Sequence, residues 1–408
     1  MKSSSDNDEK TTGEVFLKGV KDALREYETS DSSFHKVELI IEDTKKDQGL
    51  TLEIINKFGT DKNVIALFGP IYSSELVNNA GAADFHKIPL ISPTATLNDL
   101  AGKNPYVFQL NPTYDIRGKL MAKYAISELG MKNFMILSED SYGKLYSESF
   151  MNEVHSNNCL VYSPEYYSKD TPLFQEHFAT IRSKITAEDK FIDFGNTDKL
   201  TIEKLKKVKL LYSNIDSLTS NKLAVSIFKL FGINGNKIAD SLNIVPVKIS
   251  DSGKKIIPGI IDAIYIPVSS YVEIPLILSE LESSGIIIPI LGTSDWNNEE
   301  VLSENSGKIK TLYFESDFYL DEISRDFLTG VKEDEMKNYY FGYDGMKLIL
   351  DEISTGNLSR DKLNDAFENL KNYDAKHNNM TMKERTNNSL SVMFFGNGKL
   401  IKLTDFTY

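Results

Sequence analysis

The chain has 408 residues, 41% hydrophobic and 26% charged, a composition that excludes an intrinsically disordered protein and leaves room for two large domains. Its 46 Lys and Arg against 59 Asp and Glu give a net charge of −13, which argues against nucleic acid or an anionic membrane surface as a partner. The single cysteine, Cys159, excludes an internal disulfide and a CxxC pair. We expect neither a transmembrane segment nor a signal peptide, because no apolar run approaches about 20 residues and the first residues are polar.

Helices alternate with short apolar strands along the first half of the chain. Apolar residues at helical spacing predict the helices, and β-branched or alternating runs predict the strands. The predicted helices are 15–27, 50–58, 73–86, 115–130 and 140–156, and the predicted strands are 36–42, 64–68, 89–92, 106–110 and 133–137. Strands separated by helices of about 12 to 15 residues indicate a mostly parallel sheet that is covered on both faces.

The second half repeats this alternation around one irregular region. Its predicted helices are 172–184, 272–283, 338–354 and 359–370, and its predicted strands are 161–166, 263–268, 286–291 and 310–314, before a hairpin over 391–403. Between residues 190 and 258, Asp, Asn, Gly and Lys interrupt a pattern that stays helical at 221–231, and we expect a surface elaboration near a hinge or an edge. The fold class is therefore α/β, with two sheets and two lobes.

Motifs for catalysis are missing from the sequence. The five histidines show no HExxH spacing, and no GxSxG, GxxxxGK[ST] or GxGxxG motif is present. We therefore expect no enzyme, no metal site and no cofactor. Two acidic runs, Glu139–Asp140 and 332–335, could supply paired carboxylates, but in a chain with 59 acidic residues we favour solvated helix faces.

Four segments at predicted strand ends hold the candidate ligand-binding residues, because open α/β sheets bind ligands at the carboxyl ends of their strands. In the first segment, Ser73 and Ser74 begin a helix whose free N–H groups would attract a carboxylate, or they form a plain helix cap. In the second, the residues Thr94, Ala95 and Thr96 offer hydroxyl and backbone N–H groups to an anion, or they form an ordinary turn.

The other two segments lie in the second half of the fold. Tyr142 follows a strand and either covers a ligand or packs in the interior. Asp295 and Trp296 follow another strand, where an acidic group beside an aromatic face suits an ammonium group. Alternatively, Asp295 caps a helix that begins near Asn297.

Taken in order along the chain, these segments resemble the type I periplasmic binding proteins, in particular the branched-chain amino acid receptors and the penicillin-binding protein activators. The resemblance covers most of the chain and is carried by residues 13–27, 42–44, 68–74, 88–96, 107–112, 140–143, 261–267, 291–296 and 341–344. It implies two Rossmann-like lobes joined by three hinge crossovers and closing on a small ligand. Lobe one would comprise residues 1–117 and 320–377, and lobe two residues 118–319 and 378–408, with the elaboration at 190–258.

The resemblance also implies which residues bind the ligand. Lobe one would hold an α-carboxylate with Ser73, Ser74, Thr94, Ala95 and Thr96, and lobe two would contribute Tyr142, Tyr271, Ser294, Asp295 and Trp296. Asp295 or Ser294 would lie near the position of the acidic group that pairs with an α-ammonium. Family members begin with an apolar strand before their first helix. Because none precedes residue 15 here, we expect either a truncated chain or a first lobe without that strand.

The function that the resemblance implies is that of an extracytoplasmic receptor. It would be periplasmic or membrane-anchored, would capture a small amino acid-like or carboxylate-bearing solute in the interlobe cleft, and would present it to an ABC transporter. The alternative is an envelope regulator that acts through protein contacts, like the penicillin-binding protein activators. For a regulator we expect a cleft filled by bulky side chains and an apolar patch on residues 190–258.

Overall fold

The computed structural model describes residues 4–30, 35–162, 164–169, 171–195, 203, 205, 223–249, 253–320 and 335–408. The chain divides into two units. Unit 1 comprises Met1–Arg117, Asp317–Ser391 and Thr404–Tyr408, and unit 2 comprises Gly118–Ser316 and Val392–Leu403. The chain therefore passes from one unit to the other four times, whereas the resemblance implied three crossovers.

Helices and strands are numbered in chain order. The α-helices are α1 (Ser4–Thr29), α2 (Gln48–Thr60), α3 (Ser73–Leu76), α4 (Ala80–His86), α5 (Tyr114–Ser127), α6 (Tyr142–Ser156), α7 (Gln175–Glu188), α8 (Ile227–Phe231), α9 (Gly235–Ser241), α10 (Ile274–Ser283), α11 (Glu299–Glu304), α12 (Met336–Ser354) and α13 (Arg360–Glu368). The strands are β1 (Leu67–Phe68), β2 (Leu90–Ser92), β3 (Val107–Gln109), β4 (Asn133–Glu139), β5 (Leu160–Val161), β6 (Glu165–Tyr167), β7 (Phe191–Asp193), β8 (Leu223–Ser226), β9 (Lys255–Ile257), β10 (Ala263–Tyr265), β11 (Ile290–Gly292), β12 (Leu312–Ser316), β13 (Tyr373–Asp374), β14 (Asn379–Met380), β15 (Met382–Lys383), β16 (Thr386–Asn387), β17 (Ser389–Gly396) and β18 (Lys399–Thr407). Short 3₁₀ helices lie at Gly232–Asn234, Tyr271–Glu273 and Ser294–Trp296.

Unit 1 contains a five-stranded sheet in the order β1-β2-β3-β16-β15. β1, β2 and β3 are parallel, and β16 joins them parallel to β3 with Thr386 opposite Gln109. This pairing explains why residues 378–391 belong to unit 1, although the resemblance assigned them to the second lobe. Residues 404–408 also belong to unit 1, and Tyr408 donates its backbone N–H to the carbonyl of Asn388 at 2.9 Å.

The helices α1 and α12 pack closely against each other in unit 1. A Cβ atom on Gly19 would lie 2.1 Å from the carbonyl oxygen of Tyr339, and a Cβ atom on Gly342 would lie 2.2 Å from that of Phe16. Only glycine therefore fits at these two positions without moving a backbone. The hydroxyl of Tyr339 donates across the contact to Asp22 at 3.1 Å. The helix predicted at 15–27 is confirmed within α1.

Two elements predicted in unit 1 differ in the structure. Residues 36–42 form no strand, and Ile40 and Ile41 are 52% and 50% exposed, because nothing in the described chain pairs with this segment. The helix predicted at 73–86 is split into α3 and α4. Between them the Asn79 amide donates to the carbonyls of Gln48, at 2.7 Å, and Glu75, at 2.9 Å, and so competes with helix continuation.

Unit 2 contains most of an eight-stranded sheet in the order β18-β17-β12-β11-β10-β4-β5, with β6 also paired to β4. β4, β10, β11 and β12 are parallel neighbours, so their carboxyl ends share one edge. In the core, Phe150 stacks on Tyr265 with 4.1 Å between ring centroids. The predicted hairpin is confirmed as β17 and β18, whose turn places Asn397 and Gly398 at φ 52° and 73°.

The irregular region after residue 190 forms a small sheet of its own in unit 2. Its order is β7-β8-β9, with β8 antiparallel to β7 and parallel to β9. The buried side chains of Ile227, Leu230 and Ala239 on α8 and α9 belong to the apolar cluster on this sheet. The helical stretch predicted at 221–231 is wrong in part, because Leu223–Ser226 is a strand and the helix begins only at Ile227.

Candidate functional site

In unit 2, candidate residues follow three neighbouring strands at the shared carboxyl edge. Tyr142 opens α6 after β4, Tyr271 opens a 3₁₀ helix after β10, and Ser294 and Asp295 lie in the 3₁₀ helix after β11. The side chains of Tyr142 and Tyr271 are 55% and 51% exposed, which excludes the alternative that Tyr142 packs in the interior. The structure therefore brings these four predicted residues to one edge of the unit 2 sheet.

A buried carboxylate fastens the loops that carry the two tyrosines. Glu139, at the end of β4, is completely buried and accepts hydrogen bonds from the hydroxyls of Ser141 and Ser269. Ser269 precedes Tyr271 on the loop after β10, so one side chain holds both loops. The interpretation of Glu139–Asp140 as a solvated face is wrong for Glu139. The other acidic run, 332–335, lies outside the described residues except for its last member.

Two further acidic residues stabilise the same edge. Glu315, completely buried at the end of β12, accepts the backbone N–H of Ser294 at 3.2 Å. Glu273 accepts the hydroxyl of Tyr167 at 2.9 Å. Burial, together with the negative charge of Glu273, raises the pKa of Tyr167 far above its usual value, so this hydroxyl stays a donor. An acidic residue that ends an apolar strand, as Glu139 and Glu315 do, is the sequence signal that would have found these groups.

The tryptophan predicted at the ligand surface is a core residue. Trp296 is completely buried, its indole N–H donates to the carbonyl of Ile266 at 2.9 Å, and its ring lies against Gly292. Trp296 therefore cannot offer an aromatic face to a ligand, and this assignment is corrected. The cap alternative for Asp295 is also wrong, because Asn298 caps α11 by accepting the N–H of Val301 at 3.0 Å.

In unit 1, the candidate residues lie on the loops after β1 and β2. The hydroxyl of Ser73 accepts the backbone N–H of Thr96 at 3.1 Å, and the hydroxyl of Thr94 donates to the carbonyl of Ile71. These bonds tie the two loops together. Ser74 is exposed beside them. The prediction that Ser73 and Ser74 begin a long helix is wrong, since α3 has four residues and Tyr72 occupies its cap position.

A buried glutamine supports the second of these loops. Gln109, completely buried at the end of β3, donates its amide to the carbonyls of Ala95 and Leu97, each at 3.0 Å. Its amide oxygen accepts the backbone N–H of Ala101 at 3.2 Å. Ala95 is itself 1% exposed, so its methyl group packs in the core of unit 1. Sequence reasoning missed Gln109, which follows the same pattern of a polar residue at the end of an apolar strand.

A buried ion pair lies where the chain leaves and re-enters unit 1. Arg117 ends the first segment of unit 1 and Asp317 begins the second, and the guanidinium donates to the carboxylate at 2.7 Å. Asp317 also accepts from Lys337 at 2.7 Å and from the amide of Asn111 at 3.1 Å. Burial alone would raise the pKa of Asp317, but the charges of Lys337 and Arg117 prevail and hold it far below its usual value.

Comparison with known proteins connects the first half of the chain to a family. Residues 4–184 match the family model described as periplasmic binding protein. An uncharacterized protein of Methanocaldococcus jannaschii is 25% identical over 189 residues, which cover 45% of this chain. The match spans 43% of that relative's length, less than half of it.

Solved structures extend the similarity to the whole fold. The leucine-binding protein LivK of Thermotoga maritima superposes with a TM-score of 0.54 at 17% identity, covering 97% of this chain and 95% of that one. The branched-chain amino acid transporter substrate-binding protein LivJ of Streptococcus pneumoniae, in complex with isoleucine, has a TM-score of 0.53 at 16% identity, with 96% and 95% covered. Residues 4–184 therefore resemble periplasmic binding proteins, and the solved structures show the type I periplasmic binding protein fold over the whole chain. The predicted two-lobed α/β fold is thus confirmed, and the predicted resemblance to the family is confirmed over residues 4–184.

Neither a metal site nor a membrane-spanning helix is found among the described residues. Among the described residues, no group of three or more His, Cys, Asp or Glu side chains is arranged to hold a metal ion. Within the same part of the chain, every helix is too short or too polar to cross a bilayer.

Proposed function

We propose that this protein is an extracytoplasmic receptor that captures a small, carboxylate-bearing, amino acid-like solute for an ABC transporter. One observation carries the proposal. Tyr142 and Tyr271 expose more than half of their side chains on loops that follow adjacent strands, and Glu139 holds both loops from beneath. Aromatic rings fixed on braced loops at the carboxyl edge of a parallel sheet are what a ligand-covering surface requires.

In this proposal the two units bind different ends of the solute. Unit 1 offers the hydroxyls of Ser74 and Thr96, which suit a carboxylate. Thr94 supports their loops by donating its hydroxyl to the carbonyl of Ile71. Unit 2 offers Asp295 for an ammonium group and the rings of Tyr142 and Tyr271 for the rest of the ligand. Ser73 acts indirectly, because its hydroxyl already holds the N–H of Thr96.

The known relatives support this ligand class. Both solved structures described above bear names that refer to leucine or to branched-chain amino acids, and one of them contains isoleucine. An amino acid carries the carboxylate and the ammonium group that the two sets of loops would recognise. A ligand shifts a protein toward the conformation in which it makes more favourable contacts, which would couple binding to recognition by a transporter.

A thermal-shift screen of the purified chain tests the proposal. The panel contains the twenty amino acids, aliphatic and aromatic carboxylates, the corresponding amides, and amines. A ligand that binds only the folded state stabilises it by about 2.7 kcal/mol at a concentration roughly 100 times its dissociation constant. We expect a shift with amino acids or carboxylates, and none with the matched amides.

Three variants then test the assignment of residues. Thr96→Ala and Asp295→Ala should each abolish the shift without lowering the melting temperature of the free protein. Asp374→Ala, at an exposed position in unit 1, should leave the shift unchanged. A normal ligand response in both variants would disprove the assignment of Thr96 and Asp295 to the binding site. A folded protein that responds to nothing in the panel would instead favour the envelope-regulator alternative.

A further inference from the structure

The region elaborated in unit 2 carries a charge opposite to that of the rest of the molecule. Residues 190–258 contain twelve lysines and six Asp or Glu residues, a net of +6. Since the whole chain carries −13, the other 339 residues carry −19. The described residues 223–249 and 253–258, which we call the basic module, contain five lysines and one aspartate. The module is therefore a positive region on a strongly acidic protein.

The basic module also exposes two aliphatic side chains almost completely. Ile233 is 94% exposed in the 3₁₀ helix between α8 and α9, and Val245 is 84% exposed after the end of α9. The exposed Lys237 lies on α9 between them. The helix α9 has seven residues and is about 10 Å long at 1.5 Å per residue. It carries Lys237 and Asp240, Ile233 lies two residues before its first residue, and Val245 lies four residues after its last.

These two exposed residues are not simply parts of a loosely packed core. On the flanking helices α8 and α9, Ile227 and Ala239 are completely buried, and Ile244, directly before Val245, is 5% exposed. At the base of the module, Asp189 accepts hydrogen bonds from the N–H groups of Lys190, at 2.8 Å, and Gly259, at 2.8 Å, one on each side of the elaboration. The module thus has a packed interior and a closed base, and Ile233 and Val245 face water.

We propose that the α8–α9 side of the basic module docks on an anionic lipid bilayer, with Ile233 and Val245 entering the headgroup region and Lys229 and Lys237, the lysines of these two helices, facing the lipid phosphates. Aliphatic side chains gain free energy from entering the acyl boundary of a bilayer, and lysines beside an anionic membrane strengthen that binding. A polyanion such as nucleic acid would use the lysines but would gain little from an exposed isoleucine and valine.

The acidity of the remaining chain does not prevent this docking. At physiological ionic strength the Debye length is about 8 Å, so charges farther from the membrane than that are largely screened. The sequence-based argument against an anionic membrane surface used the net charge of the whole chain, whereas the contact depends on the charge within a Debye length of it. The inference does not depend on the proposed solute or on any transporter.

Co-sedimentation with lipid vesicles tests the proposal. The full chain is mixed with vesicles of phosphatidylcholine alone or with about 30% phosphatidylglycerol, at low and at high salt. We expect binding to the anionic vesicles that weakens as salt rises. Lys237→Gln should reduce the partition constant about fivefold, and Ile233→Ser combined with Val245→Ser about tenfold or more. Both changes lie at exposed positions and should leave the melting temperature unchanged.

Matched variants elsewhere in the chain distinguish binding by this surface from nonspecific adsorption to vesicles. Lys169→Gln changes an exposed lysine of unit 2 outside the module, and Phe85→Ser removes an 82% exposed ring from unit 1. Both should bind vesicles like the unaltered chain. The proposal is overturned if the anionic vesicles bind no protein, or if the Ile233 and Val245 changes have no effect. Equal binding by a soluble polyanion such as dextran sulfate, insensitive to the two aliphatic residues, would assign the module to anionic polymers instead.

Discussion

Two buried aspartates, Asp317 in unit 1 and Asp189 in unit 2, have different partners and therefore stabilise the fold in different ways. Each is almost fully buried and each lies where the chain changes region. Asp317 begins the segment that returns to unit 1, and Asp189 directly precedes the elaborated region. Asp317 is held by the cations Arg117 and Lys337. The partners of Asp189 are uncharged donors, namely the hydroxyl of Ser226 and the backbone N–H groups of Lys190, Gly259 and Ile260.

The different partners shift the two pKa values in opposite directions. For Asp317 the penalty of burial is outweighed by Lys337 and Arg117, and the pKa lies well below its usual value. For Asp189 burial dominates over the hydrogen bonds that favour the charged form, and the pKa is raised. The ion pair of Asp317 with Arg117 joins the points at which the chain leaves and re-enters unit 1. Asp189 accepts hydrogen bonds from both ends of the elaborated region.

The largest effect is expected from Asp317→Asn. The substitution leaves the guanidinium of Arg117, 1% exposed, without its carboxylate, and breaking a buried ion pair in this way costs about 3 to 5 kcal/mol. We expect the unfolding transition of unit 1 to move to lower denaturant concentration. Circular dichroism follows both units, whereas the fluorescence of Trp296, the single tryptophan and completely buried in unit 2, follows unit 2. Loss of the dichroism signal should therefore precede the change in fluorescence.

A neutral pair is the control for this variant. Arg117→Met combined with Asp317→Leu removes both charges, and such replacements of a buried pair are often neutral or stabilising. Lys337 can then turn toward water, since its side chain is 42% exposed. The double variant should recover most of the lost stability. If it is as unstable as Asp317→Asn, the cost does not come from an unpaired charge.

A smaller effect is expected from Asp189→Asn. Both carboxylate oxygens accept hydrogen bonds, so an amide would place its NH₂ group against other donors and leave a buried N–H unsatisfied, at about 1 to 3 kcal/mol. Because Asp189 lies in unit 2, the fluorescence midpoint of Trp296 should shift. Asp140→Asn, at an exposed position elsewhere in unit 2, should not shift it. An unchanged fluorescence midpoint in Asp189→Asn would contradict the inference that Asp189 stabilises the base of the basic module.

Much of the fold could be predicted from the sequence because its signals are local. The strand β4 and the helix α6 follow each other within one βα unit, and apolar periodicity alone indicates both. Residues 36–42 have the same local signal, yet they form no strand, since pairing needs a neighbour that periodicity does not supply. The strand β16 pairs with β3, with Thr386 opposite Gln109. A local sequence pattern cannot predict a contact between residues so far apart in the chain.

The candidate site could be predicted in position but not in detail. Tyr142 follows β4 as predicted and opens α6 with its side chain exposed, because the carboxyl ends of these strands face solvent. Trp296 was misjudged because its neighbour Asp295 suggested a polar surface, while the contact that buries its ring is made with Gly292. The interpretation of Glu139 as a solvated residue is wrong for a related reason, since one of the hydroxyls that satisfy it comes from Ser269, 130 residues away.

The smallest effect is a difference in pH dependence between the two aspartate variants. The folded pKa of Asp317 lies below its unfolded value, so its stabilisation is complete above about pH 4 and is lost as the pH falls toward the folded pKa. The folded pKa of Asp189 lies above its unfolded value, so its contribution is most favourable below about pH 4 and is lost as the pH rises through the folded pKa. The destabilisation caused by Asp317→Asn should therefore shrink on acidification, while that caused by Asp189→Asn should grow. Denaturation of the unaltered chain and both variants from about pH 3 to 7 measures the two slopes, and slopes of the same sign would contradict the assignment of one ion-paired and one desolvated carboxylate.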